Sequence, residues 1–305
     1  MAVMNGVSNT RSEPRMFDPE VEEKGSQAIL AALTEEEIKS MPDANMPLRH
    51  FRADKGDVSK AIKRIKYALE WRQEFNVAQI ITAAHPPGDG DGSSSNSSSS
   101  SSLSEEEKDI RKILKNEAST GKLYVRNHDR EDRAILYMYP AREATQHPKH
   151  NILHLVYQIE RAIACTEHKS NGLEKIVIVM DFKSWKMKHA SPMEVTKQTI
   201  HILQECYVER LARVYITNAP LIFRTFWKMV QVFLDPVTKA KVMFCKSSNA
   251  AHLKILRERF DWKKVEQNAL PLGPGDDVGV DINHMVEFDV EDYFSSPLHT
   301  TFDEI

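Results

Sequence analysis

The sequence has few of the features that most directly announce a function. Its three cysteines, Cys165, Cys206 and Cys245, are odd in number and widely spaced, which fits neither a disulfide framework nor a zinc-ligand pattern. Reduced thiols in an intracellular protein are the expectation. No run approaches the ~18 apolar residues of a membrane span; the longest buried-looking stretch is residues 176–180. The start, MAVMNGVSNTRSEPRM, lacks the apolar centre of a signal peptide, and Met-Ala is no myristoylation site. An excess of one charge is also missing. Lys+Arg is 41 and Asp+Glu is 44, a net −3 that argues against a globally basic nucleic-acid binder. No GxGxxG or GxxxxGK[ST] sits at a strand–helix junction, and there is no GxSxG elbow. Nucleotide-dependent and hydrolase chemistry of the usual kinds therefore lacks support. The protein is expected to be soluble and cytoplasmic, with only transient peripheral contact to membranes.

What is present is enough for a core. The 41% hydrophobic content excludes wholesale disorder, and 305 residues suggest about two domains. Residues 1–20 are polar and expected to be disordered. Residues 21–84 form a helical N-terminal lobe, with helices expected over 26–41, from about 48, and over 57–75. In the last of these Val58, Ala61, Ile62, Ile65, Leu69 and Phe75 share one face, and Lys60, Lys63, Arg64, Lys66 and Arg72 the other. Residues 85–103, HPPGDGDG and a serine run, cannot bury enough surface to offset their ordering entropy and read as a flexible spacer. Ser104-Glu105-Glu106-Glu107 is a capping box that restarts a helix, with Gly121 after it.

From there strands and helices alternate. Strand-like segments are 122–126, 134–139, 175–181 (KIVIVMD), 213–217 and 241–245; helices fill 150–167, 192–206, 220–234 and 250–260. This order predicts an α/β domain over 104–262 with a mostly parallel sheet and crossover helices. Residues 263–305 make an acidic extension: from position 276 there are nine acids and no Lys or Arg. Residues 49–72 carry +5. The tail and this basic segment are complementary in charge, though screened over about 8 Å at physiological salt.

Most titratable clusters have a modest reading. His147, His150 and His154 could approach a metal, but no fourth ligand is apparent, and a solvent-facing cluster at a helix start is favoured. Asp181 ends a strand without a partner base, which suits a turn or cap. Helix 220–234 is different. Leu221, Ile222, Phe223, Phe226, Trp227, Met229, Val230, Val232, Phe233 and Leu234 cover more than one apolar stripe. It is either buried in a large core or set with one side on the sheet and another toward an apolar ligand or bilayer. Arg224 and Lys228 share a side that could meet lipid phosphates. Thr238 and Lys241, three apart, offer a hydroxyl and an ammonium to a phosphate or inositol ring.

The segment YVERLARVYITNAPLIFRTFWKMVQVFLDPVTKAKVMF (207–244) resembles the central signature of the CRAL-TRIO lipid-binding family, in particular its yeast-type phosphatidylinositol transfer proteins. LRHFRADKGDVSKAIKRIKYALEWRQEF (48–75) resembles the helical segment before that domain, and KIVIVMDFKSW (175–185) its central strand. The resemblance covers about residues 45–84 and 105–262. It implies a helical lobe beside an α/β lobe whose sheet floors an apolar pocket, gated by helix 220–234. It further implies that Thr238 and Lys241 contact an inositol phosphate headgroup, with Glu209 and Lys55 nearby. Phe223, Phe226, Trp227, Val230, Phe233 and Tyr137 would line the acyl pocket or gate, and Arg224 and Lys228 would touch the membrane. The implied ligand is a phospholipid; no metal, other cofactor, catalytic residue or enzyme activity is expected.

Two positions depart from the family pattern. Asp54 stands in the basic loop where the family often has arginine. Ile176-Val177-Ile178 carries no hydroxyl for a choline phosphate, so a phosphatidylcholine exchange cycle is not expected. The alternatives are a carrier of another apolar molecule, tocopherol- or sterol-like, and a lipid-sensing adaptor for a lipid kinase or other protein partner.

Overall fold

The computed structural model describes residues 16–86, 103–145, 147–170, 172–266, 268–270 and 288–302. Most of the N-terminal segment expected to be disordered, nearly all of the serine spacer and the first part of the acidic tail lie outside these residues.

The N-terminal helices are α1 (Pro19–Leu30), α2 (Glu35–Ser40), α3 (Met46–Ala53), α4 (Val58–Glu74) and α5 (Val77–Ala84). The single helix expected over 26–41 is therefore two. Asp18 caps the first. Thr34 ends the link by starting a capping box: its hydroxyl accepts from Glu37 N–H at 3.1 Å, and the Glu37 carboxylate accepts from Thr34 N–H at 2.7 Å. Ile29, Met46, Phe51, Ala61, Ile65 and Leu69 form this lobe's own core. Gly25 faces the Phe51 ring so closely that a β-carbon there would collide with it.

The second lobe holds α6 (Glu105–Ala118), α7 (Pro148–Ser170), α8 (Met193–Glu205), α9 (Phe223–Val230), α10 (Pro236–Ala240), α11 (Ala250–Arg259) and α12 (Val290–Ser295). Its strands are β1 (Leu123–His128), β2 (Ala134–Met138), β3 (Ile176–Asp181), β4 (Leu211–Thr217) and β5 (Val242–Phe244). They form one sheet in sequential order, with β1 antiparallel to β2 and the rest parallel. Each parallel step carries a helical crossover, so α7, α8 and α9 with α10 gather over one face of the sheet. This is the mixed α/β architecture expected.

Three local differences matter for function. The expected helix 220–234 is α-helical only over Phe223–Val230; a 3-10 turn, Gln231–Phe233, follows, and Asp235 and Pro236 start α10. The described end of the acidic tail does not reach the basic helix α4. Instead α12 packs against α6, Lys115 pairs with Glu291, and Tyr293, Phe294 and Phe302 are buried in the main core. Arg161, fully buried on α7, holds this segment by donating to Tyr293 O at 2.7 Å, Ser296 Oγ at 2.6 Å and Thr300 O at 2.7 Å. Apolar area outweighs long-range charge here.

Candidate functional site

A cavity of about 600 Å³ lies between the sheet and α7, α8 and α9. Side-chain alternation decides which strand residues reach it. Leu123, Met138, Ile178, Met180 and Ile216 floor it. Ile152, Leu155 and Ile159 of α7 and Val195, Ile200 and Leu203 of α8 form its sides. The α9 helix closes it with Phe223, Phe226, Trp227 and Val230. The Phe223 ring packs tilted against Phe182 with centroids 4.0 Å apart, and Trp227 meets Phe244 edge-on at 5.2 Å. The other side of this segment faces outward: Leu221 is 77% exposed and Val232 70%. Arg224 and Lys228 are exposed beside them. The helix thus turns its aromatic side inward, while exposed apolar residues flank it at both ends, Leu221 before α9 and Val232 in the turn after it.

One rim of the cavity is polar. Lys55, Arg64, Glu205, Glu209, Thr238 and Lys241 meet there. Asp235 caps α10 by accepting from Val237 N–H at 2.8 Å and Thr238 N–H at 2.9 Å, and its other oxygen accepts the Thr238 hydroxyl at 2.5 Å. This fixes the threonine one turn before Lys241. Glu209, in the left-handed region at φ 56°, lies 2.9 Å from Lys175 and 3.6 Å from Lys241. Burial would raise its carboxyl, but the two ammonium groups outweigh that and hold it below the ordinary range. Burial also lowers Lys241, with Glu209 opposing. The Thr238 hydroxyl and the Lys241 ammonium are thus both held by carboxylates at this rim.

Residues 118–269 match the family model described as the CRAL/TRIO domain. The chain carries a CRAL/TRIO domain. It is 32% identical over 197 residues to a CRAL-TRIO domain-containing protein, C23B6.04c, of Schizosaccharomyces pombe, covering 65% of this chain and 16% of that protein. It is 31% identical over 206 residues to the phosphatidylinositol transfer protein PDR17 of Saccharomyces cerevisiae, covering 65% of this chain and 51% of that one. The chain thus spans about half of one of these relatives and about a sixth of the other. The crystal structure of Sfh5 superposes with a TM-score of 0.56 at 16% identity, covering 85% of this chain and 95% of that one, which shows a shared fold.

Within the CRAL/TRIO domain and its helical lobe, the structure brings together Thr238, Lys241, Glu209 and Lys55 at the rim, and Phe223, Phe226, Trp227 and Val230 at the gate. Two expected pocket residues are misplaced. Tyr137 is buried on the opposite face of the sheet, because it alternates with Met138; its oxygen accepts from Glu266 N–H at 3.2 Å. Phe233 sits in the 3-10 turn outside the cavity, where its carbonyl accepts from Gln204 Nε2 at 3.2 Å and its ring lies 5.3 Å from the Lys197 ammonium; Leu234 takes its place in the lining.

Arg64 is a rim residue that sequence reasoning passes over. It reaches from α4 to Asp54 at 3.2 Å and Glu205 at 2.9 Å. Asp54, only 8% exposed, has its carboxyl raised by burial, against the pull of Arg64. The basic face of α4 was readable, but which of its cations meets the cavity depends on lobe docking.

The remaining candidates resolve as follows. Asp181 is a turn residue: Oδ1 accepts from Lys183 N–H and Asn218 Nδ2, each at 2.8 Å. The three cysteines are buried and not disulfide-bonded, and burial pushes the Cys206 and Cys245 thiols up to about 12. His147 and His150 stack at 3.5 Å, but His154 is fully buried instead of facing solvent, because the helix turns that position onto the cavity side. No cluster able to hold a metal ion occurs among the described residues. None of their helices is long and apolar enough to cross a membrane.

Proposed function

We propose that this protein binds a phospholipid, phosphatidylinositol first among them, and transfers or presents it between membranes. The observation that carries this reading is an apolar cavity with a hydroxyl–ammonium rim, closed by a helix that is flanked by exposed apolar residues. Moving a diacyl lipid through water exposes some 30 methylenes at roughly 0.8 kcal/mol each, on the order of 20 kcal/mol. A cavity of this lining removes most of that barrier. Thr238 and Lys241 bind the headgroup phosphate as Lys241 leaves Glu209, and Arg64 and Lys55 add positive charge. Leu221 and Val232 enter the bilayer surface while Arg224 and Lys228 meet its phosphates, and α9 swings from the sheet to open the cavity. No bond is made or broken, so the protein acts as a carrier and not an enzyme. Its place is the cytoplasm, with transient membrane contact. Similarity to PDR17, a phosphatidylinositol transfer protein by name, supports the headgroup class.

The test is exchange of labelled phosphatidylinositol between vesicles by the Thr238→Ala/Lys241→Ala double variant. A fall of about tenfold or more is expected, the loss of charge-assisted hydrogen bonds to phosphate. Transfer at the wild-type rate defeats the headgroup assignment.

A further inference from the structure

The cavity has a second polar end. Lys122 precedes β1 at one edge of the sheet and Lys241 precedes β5 at the other, four strand spacings or about 19 Å across. Lys122, Asn151 and His154 line this far end. The geometry points to a neutral oxygen of the bound ligand accepting a hydrogen bond from His154 Nδ1–H at this end of the cavity. The inference rests on the lipid-binding reading above and adds a second recognition point to it.

The proton position follows from a chain of bonds that begins in the C-terminal segment. Val125 N–H donates to the Tyr293 oxygen at 2.9 Å, so the Tyr293 hydroxyl proton is directed to Gln158 Oε1, 2.6 Å away. That fixes the amide: Gln158 Nε2 faces His154 Nε2 at 3.0 Å and donates to it. The imidazole then carries its proton on Nδ1. This atom is buried and has no partner. His154 is fully buried, and burial pushes its imidazole down to about 3, so it is neutral at physiological pH. A buried donor without an acceptor is costly to a fold, and a ligand oxygen removes that cost.

The neighbours decide the charge of the group that fits. The Lys122 ammonium has three protons and is held by Glu117, Glu143 at 2.8 Å, Thr145 at 3.0 Å and Asn151. Two carboxylates outnumber the one ammonium. A phosphate there would meet net negative charge and a saturated lysine. A hydroxyl or carbonyl oxygen meets neither obstacle. The two ends thus divide the work: charge at the Lys241 rim, a neutral oxygen at His154.

Such an oxygen can come from the ester of a phospholipid or from a free lipid alcohol. Uptake from vesicles by the full chain separates them with two matched pairs. One is diacyl against diether phosphatidylinositol, and the other is cholesterol against its 3-deoxy counterpart. Wild type should favour the carbonyl- or hydroxyl-bearing member of one pair by roughly tenfold. His154→Phe should lose that preference. His154→Asn, which supplies both an acceptor for Gln158 and a donor, should restore it. Equal uptake within both pairs by wild type overturns the proposal. Failure to take up any of the four lipids overturns the lipid-binding reading itself. Nitrogen-15 NMR of the protein gives an independent check: a proton on Nδ1 of His154 is expected, and a proton on Nε2 would sink the bond chain.

Discussion

The two faces of the sheet are built from the same five strands and do opposite things. Toward the cavity they show Leu123, Met138, Ile178, Met180 and Ile216, all aliphatic or thioether. On the reverse they show Tyr124, Tyr137 and Tyr215, with Tyr139 just beyond β2. The reverse face is filled. Tyr124 donates to Glu266 at 2.6 Å, Tyr139 donates to its other oxygen, and Tyr215 meets Phe260 at 5.2 Å. Burial of Tyr124 and the neighbouring Glu266 push its phenol further above its already high ordinary value, which keeps it a neutral donor. Polar bonds with direction specify one packing. The aliphatic face lacks them and leaves about 600 Å³ to a guest. Rigidity is concentrated on one side so that adaptability can exist on the other.

The largest expected effect breaks the packed side. Tyr137→Ala should destabilise the protein by about 3–5 kcal/mol in urea unfolding, because the void opens in a filled core. A cost under 1 kcal/mol would show that face to be loosely packed as well.

A second test uses acid. The imidazoles of His154, beside the cavity, and His85, against Tyr157 at 3.0 Å, are pushed down to about 3 by burial. Their folded values lie below the unfolded value of about 6.5, so the unfolded chain binds more protons between these limits. Stability is full above pH 6.5 and falls as pH drops toward 3, by up to about 1.4 kcal/mol per pH unit for each imidazole. His154→Phe should flatten that slope by about one proton. An unchanged slope would mean that His154 is charged in the fold.

The smallest effect on stability should come from the open side. Ile178→Trp extends into the cavity, so the unfolding free energy should move by less than about 1 kcal/mol, well below typical overpacking costs. Lipid uptake should nevertheless collapse. Severe destabilisation with uptake retained would reverse the roles of the two faces.

The strands are plain in the sequence because their β-branched runs are short and bounded by turns. Their faces are not. Residues 175–181 are apolar on both sides, and a continuous run gives no sign of which parity meets a cavity. Residues 134–138 (AILYM) are apolar on both sides as well, and Tyr137, which the resemblance puts in the pocket, lies behind the sheet. Capping chemistry is legible at Ser104 and Glu107, whereas the same pattern at Thr34 and Glu37 is masked by the apolar helical stretch around it. Spacing puts Thr238 and Lys241 on one side of a turn, and it is the family resemblance that implies their place at a headgroup. Arg64 and His154 follow from neither, since one needs the lobes docked and the other needs a bond chain from Tyr293.

That chain gives the C-terminal segment a meaning beyond packing. The match to the family model ends at residue 269, whereas Arg161 finds three of its acceptors between residues 293 and 300. A fragment cut at the recognisable boundary would strand a buried guanidinium and release the tautomer of His154. The matched segment and the packed core therefore have different lengths, and a boundary drawn at residue 269 would cut through the second.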